Sequence, residues 1–148
     1  MYSEILLPTD GGPASEAAID HAVELAKVTD ARLHALYVLD TTAYPALDAG
    51  RETVLSALTD EGKTALERVT DAAEDAGVSV VSELVSETPH RGIMEYATAN
   101  DVDLIVMGTH GRTGLDRYLL GSVTERVVRT SEIPVLTVRA PEDDAERA

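Results

Sequence analysis

Five short apolar runs rich in β-branched residues punctuate the chain: "EILLPT" from Glu4, "RLHALYVL" from Arg32, "VSVVSELV" from Val78, "DLIVMG" from Asp103 and "PVLTVR" from Pro134. Each has the length of a strand. The segments between them switch to helical periodicity. In "PASEAAIDHAVELAKV" the residues Ala18, Ile19, Ala22, Val23, Leu25 and Ala26 form one apolar face, with charge on the other. Further helices are predicted over 50–76, 89–100 and 122–131. Thr88 followed by Pro89 reads as an N-cap with proline at the first helical position, and Gly77 as the C′ residue closing the long second helix. The resulting order, βαβαβαβαβ, predicts an α/β fold: an open five-stranded parallel sheet with right-handed crossovers and helices on both faces. No internal repeat interrupts it. The longest irregular stretch, "DTTAYPALDAGRE" from Asp40, is expected to be a mobile loop over a site.

Length keeps this picture to one unit. The 148 residues, 44% hydrophobic and 26% charged, suffice for one buried core and predict a single domain over 1–140. The acidic "PEDDAERA" of 141–148 is expected to be a solvated tail. No apolar run approaches the roughly 18 residues of a membrane span, and "MYSEILLPTD" lacks a basic segment followed by an uncharged apolar one, so a cytoplasmic location is expected. The absence of cysteine excludes disulfides, thiolate nucleophiles and cysteine-ligated zinc. His21, His34, His90 and His110 are scattered without metal-ligand spacing.

Charge narrows the partners. Twenty-seven acidic residues against twelve basic ones leave −15, a poor surface for nucleic acid or anionic membrane. A generic soluble acidic protein fits this balance. So does one adapted to molar salt, where the Debye length falls to roughly 3 Å. The even spread of acids along the chain favours the second, and with it a halophilic archaeal source.

In an open parallel α/β sheet, ligands bind beyond the carboxyl ends of the strands. Pro8-Thr9-Asp10 and Val38-Leu39-Asp40 fall at two such ends. A third carries "GTHGRTGLDRYLLGSVT", in which Gly108, Gly111, Gly121 and Ser122 are spaced Gly-x2-Gly-x9-Gly-Ser. Such a match arises by chance in about one shuffled chain in a hundred or two. Glycines at Gly108 and Gly111 would permit positive φ and a close approach of backbone amides to a ligand. Ser122 with Glu125 reads as a capping box at the start of the last helix. A helix start offers unpaired N–H groups and a positive dipole end, so phosphate is the expected guest. The segment is neither a Walker A loop nor a GxGxxG fingerprint. Taken singly, its residues also fit structural duty: Ser122 as a cap, the glycines as loop formers, Asp10 as a turn residue and Val38 as strand core.

Together these stretches resemble the universal stress proteins, in the subclass that binds ATP. The resemblance rests on "PTD" after the first run, "LYVLD" closing the second, "DLIVMGTHGRTGLDRYLLGSVTERVV" and the final "IPVLTVR". It implies a sheet of order 3-2-1-4-5. It further implies that Pro8, Thr9 and Asp10 hold adenosine, with Asp10 near the ribose hydroxyls, and that Val38 presents its backbone to adenine. Met107, Gly108 and Gly111 would line the ribose and α-phosphate, and Gly121, Ser122, Val123 and Thr124 would hold the phosphates. His110, Arg112 and Arg117 stand in the loop as candidate phosphate neighbours. The motif specifies a cradle rather than a phosphate count, so ATP, ADP and AMP fit alike, with Mg or Mn held by the phosphates rather than by dedicated protein ligands. Gly12 occupies a position where many relatives carry serine.

The chain offers a phosphate cradle without a persuasive catalytic base, which phosphoryl transfer would need. The expectation is therefore a nucleotide-binding stress regulator rather than an enzyme, with at most slow hydrolysis. The resemblance implies a homodimer through antiparallel pairing of the last strand, Pro134 to Val138, whose uncharged edge calls for cover. A regulator also implies an unknown protein partner. Two alternatives stay open: a nucleotide-dependent enzyme of a related α/β group, and a dimeric interaction module that binds no nucleotide.

Overall fold

In the computed structural model, which describes residues 1–40, 50–109 and 121–141, the five apolar runs are strands β1 (Glu4–Pro8), β2 (Arg32–Leu39), β3 (Val80–Ser86), β4 (Leu104–Gly108) and β5 (Val135–Val138). Helices α1 (Pro13–Thr29), α2 (Arg51–Asp75), α3 (Pro89–Ala99) and α4 (Ser122–Thr130) alternate with them. The sheet has the order β3-β2-β1-β4-β5, and every pairing is parallel. Strand periodicity divides the apolar side chains between two layers. Ile5 and Leu7, Leu33 and Ala35, and Leu104 and Val106 pack with α1 and α2 on one face. Leu6, Leu36 and Ile105 pack with Ile93, Tyr96 and Val127 of α3 and α4 on the other. Burial on both faces is why the central strands read as continuous apolar runs rather than alternating ones.

Helix ends depart little from expectation, and the departures have local causes. Gly77, at φ +74°, closes α2. Its N–H bonds the carbonyl of Glu74, and that of Val78 bonds Ala73, which together make a Schellman motif. Val78 therefore finishes the helix instead of opening β3, which starts two residues later than the apolar run suggests. Thr88 is the N-cap of α3 with Pro89 in its first turn, as expected, although its side chain makes no capping bond. Pro134 lies just outside β5, and its carbonyl still accepts the N–H of Ile105 at 3.0 Å. The segment 41–49, on which most of the expected loop falls, lies outside the described residues, as do 110–120 and the tail residues 142–148.

Two glycines bring the layers together. A Cβ on Gly92 of α3 would sit 2.9 Å from Val38 Cγ1, and one on Gly62 of α2 would sit 2.7 Å from the Tyr37 ring. Both helices thus seat directly on β2. At the amino ends of the strands a polar cluster runs from the surface to a histidine buried beneath α3. His34, 2% exposed, meets the Tyr96 hydroxyl through Nδ1 at 2.7 Å and Glu4 Oε2 through Nε2 at 3.2 Å. Arg32 pairs with Glu4 from the adjacent strand. The Arg32 guanidinium, and secondarily His34, holds the Glu4 carboxyl below its ordinary range against the opposing pull of burial. Burial pushes the Tyr96 phenol up.

Candidate functional site

The carboxyl ends of β1, β2 and β4, with residues of the helices around them, line a cleft of about 530 Å³. Thr9 and Asp10 build the first wall. The Thr9 N–H extends the β1–β2 ladder to the Leu36 carbonyl at 2.9 Å. Two side-chain turns follow in succession: Gly11 N–H donates to Thr9 Oγ1 at 3.1 Å, and Gly12 N–H donates to Asp10 Oδ1 at 2.8 Å. Gly11 takes φ +79° between them, which a β-substituted residue adopts only with strain. The pattern "TDGGP" is thus a compact turn into α1, in which Asp10 does form the turn. Asp10 also lines the cleft, so the two roles coexist.

The opposite wall comes from β4 and α4. Gly108 needs to be glycine for a reason other than the one its motif suggests. Among the described glycines, positive φ belongs to Gly11 and Gly77, not to Gly108 or Gly121. A Cβ on Gly108 would instead lie 2.7 Å from both the carbonyl carbon and the Cβ of Ala14. The missing side chain lets the end of β4 abut the first turn of α1. The chain leaves this point and returns to it: Gly121 N–H donates to the Thr109 carbonyl at 2.6 Å, and Thr124 Oγ1 donates to the Gly108 carbonyl at 2.8 Å.

The capping expectation at α4 is corrected by the same geometry. Gly121, not Ser122, is the N-cap, at φ −65° and ψ 159°, and Ser122 is the first helical residue. Glu125 does not reach back, since its carboxylate pairs with Arg129 one turn on. Without a side chain at the cap, the N–H groups of Ser122, Val123 and Thr124 occupy positions that a helix cannot satisfy within itself. Glu125 N–H is the first to bond within the helix, to Gly121 at 2.8 Å. Thr124 is buried, and its hydroxyl is committed to Gly108. Its side chain therefore fixes the helix start, leaving its N–H as the group it can offer to a ligand.

The structure brings Pro8, Thr9, Asp10, Val38, Met107, Gly108, Gly121, Ser122, Val123 and Thr124 into this one cleft. Gly111 and Arg112, with His110 and Arg117, lie outside the described residues. Sequence reasoning passed over Ser15, Leu36, Tyr37, Leu58, Pro89 and Ile93, which complete the lining. The serine five residues beyond Asp10, in the first turn of α1, was the one available signal. Leu58 and Ile93 look like ordinary helix-face residues, and only their packing turns them to the cleft. α1, α3 and α4 all begin around this space without a capping bond from the N-cap side chain, so their positive dipole ends favour an anion there. No group of three or more carboxylates or histidines able to hold a metal occurs among the described residues. Nor, among them, is any helix long and apolar enough to cross a membrane.

Comparison with known proteins agrees with this arrangement. The universal stress protein family profile matches residues 1–139. Universal stress protein MJ0531 of Methanocaldococcus jannaschii is 42% identical over 146 residues, spanning 97% of this chain and 86% of its own. The solved structure of MJ0577, a universal stress protein of the same organism, superposes with a TM-score of 0.85 at 34% identity, covering 97% of this chain and 99% of its own. A universal stress protein crystallised in complex with cAMP superposes at 0.69 with 26% identity, covering 95% of this chain and 98% of its own. The chain belongs to the universal stress protein family.

Proposed function

We propose that this protein is a dimeric nucleotide-binding regulator whose cleft takes ATP or another adenine nucleotide. The observation that carries the reading is the start of α4. A glycine N-cap and a helix whose first N–H groups have no intrahelical partner face a cleft whose other walls combine apolar side chains such as Val38, Ile93 and Met107 with the polar Thr9, Asp10 and Ser15. A ligand with a flat apolar base and a polyanionic tail suits such a space. The cAMP complex of a relative at 26% identity supports an adenine nucleotide in particular.

In this reading Val38 offers its backbone to the base, Pro8, Thr9 and Asp10 receive the nucleoside, and Met107 and Gly108 line the sugar and first phosphate. The backbone of Gly121 to Thr124 and the Ser122 hydroxyl take the remaining phosphates, with Gly111 and Arg112 joining them from the connecting segment. Mg or Mn would ride on the phosphates, since the described residues supply no ligand cluster. In this reading the site serves binding, with at most slow hydrolysis. The net charge of −15 suits a cytosol of molar salt.

Dimerisation would use β5, an edge strand on which Leu136 is 38% exposed. Leu136→Lys is expected to shift sedimentation toward the monomer, and an unchanged coefficient would remove β5 from the interface. The nucleotide reading is tested by mass spectrometry of small molecules released on denaturing the purified protein. An adenine nucleotide near one per chain is the expected result.

A further inference from the structure

The carboxylate of Asp10 is held from within the protein, by the Ser15 hydroxyl together with the Gly12 N–H. The Ser15 hydroxyl donates to Asp10 Oδ1 at 2.9 Å and accepts the Asp10 N–H at 3.4 Å, while Gly12 N–H donates to the same Oδ1 at 2.8 Å. Two donors converging on one carboxylate oxygen fix the rotation of the group, and with it the direction of its acceptor lone pairs. Ser15 is itself anchored. It is 6% exposed in the first turn of α1, and its backbone nitrogen would lie 2.9 Å from a Cβ on Gly108. The orientation of Asp10 is therefore referenced through α1 to the end of β4, the opposite wall of the same cleft.

A sugar with a cis-diol presents two donors to a carboxylate, a 2′-deoxy sugar presents one, and a 2′,3′-dideoxy sugar presents none. We infer that Ser15 is a positioning residue that sets Asp10 to receive the ribose hydroxyls, so that the cleft selects ribonucleotides over nucleotides lacking the 2′- and 3′-hydroxyls. This rests on the adenine-nucleotide reading above and assigns the source of its sugar selectivity.

The test is titration calorimetry of ATP and 2′,3′-dideoxy-ATP against the wild type, Ser15→Ala and Asp10→Ala. The wild type is expected to prefer ATP by about tenfold or more, the range of hydrogen bonds to a charged group. Asp10→Ala should abolish that preference. Ser15→Ala should reduce it at least about threefold, with ATP losing more affinity than the dideoxy analogue, because the carboxylate keeps the Gly12 N–H but loses the hydroxyl that helps to fix its rotation. If Ser15→Ala weakens both nucleotides equally, Ser15 is merely structural and the inference falls while nucleotide binding stands. A wild type that binds both analogues equally overturns it as well. No heat with either nucleotide would overturn the nucleotide reading and this inference together.

Discussion

At the amino ends of β1 and β2, charged and aromatic side chains close on one another: Arg32 on Glu4, Glu4 on His34, and His34 on Tyr96. At the carboxyl ends of the sheet the polar groups are short, and apart from the Ser15–Asp10 pair their bonds run to backbone. Thr9 and Asp10 hold turn amides, Thr124 holds the Gly108 carbonyl, and Gly121 opens α4 without a side-chain cap. The first arrangement consumes its polarity internally and ties α3 to the sheet. The second spends side chains on shaping the backbone, so that helix ends face a cleft. A network in which a half-exposed ion pair leads to a buried histidine and tyrosine serves the fold; a shaped backbone with open helix starts suits a ligand.

The contrast breaks most readily at the cleft. Gly121→Val combined with Ser122→Ala should weaken ATP binding by at least about a hundredfold, since a branched side chain at the cap blocks the helix start and a hydroxyl donor is lost. Thermal unfolding should barely move. Gly108→Ala is expected to damage both properties, because its Cβ overlaps the backbone of α1. Overpacking of this kind costs about 1–3 kcal/mol, and in a domain of this size each kcal/mol lowers Tm by about 2–4 °C. The amino-end network should show the reverse separation. Tyr96→Phe removes the partner of His34 Nδ1 and should cost about 1–3 kcal/mol, while ATP affinity measured by calorimetry stays at the wild-type value.

The smallest effect is a pH dependence. Because Arg32 holds the Glu4 carboxyl below its ordinary value of 4.5, the fold favours the ionised form. The stability this adds is fully present above about pH 4.5 and is lost as pH falls through the lower folded-state value. Glu4→Gln should therefore flatten the acid limb of Tm against pH and leave the neutral region nearly parallel to the wild type. An unchanged acid limb would mean that the pair contributes nothing measurable.

Much of this was legible before any coordinates. Strands such as Ile5–Leu7 and Leu104–Met107 stand out because burial on both faces leaves no polar position to blur them, and α1 stands out because only one of its faces is buried. The cleft residues of "PTD" and "GSVT" were legible because topology places strand ends together. Reasons that depend on three-dimensional neighbours were not legible. Gly108 read as a residue permitting positive φ and a close approach to a ligand, whereas what it approaches is Ala14, 94 positions earlier in the chain. Ser122 matched a capping pattern, yet Gly121 takes the cap and Glu125 turns to Arg129. His34 had no visible partner because Tyr96 is 62 residues away.

The most direct test of the central claim is calorimetric titration of ATP, in molar KCl, into protein stripped of small molecules. The account predicts saturable heat at close to one nucleotide per chain, lost in the Gly121→Val, Ser122→Ala double variant. Absence of heat in the folded wild type would contradict it, leaving a universal stress protein fold whose cleft does not take ATP.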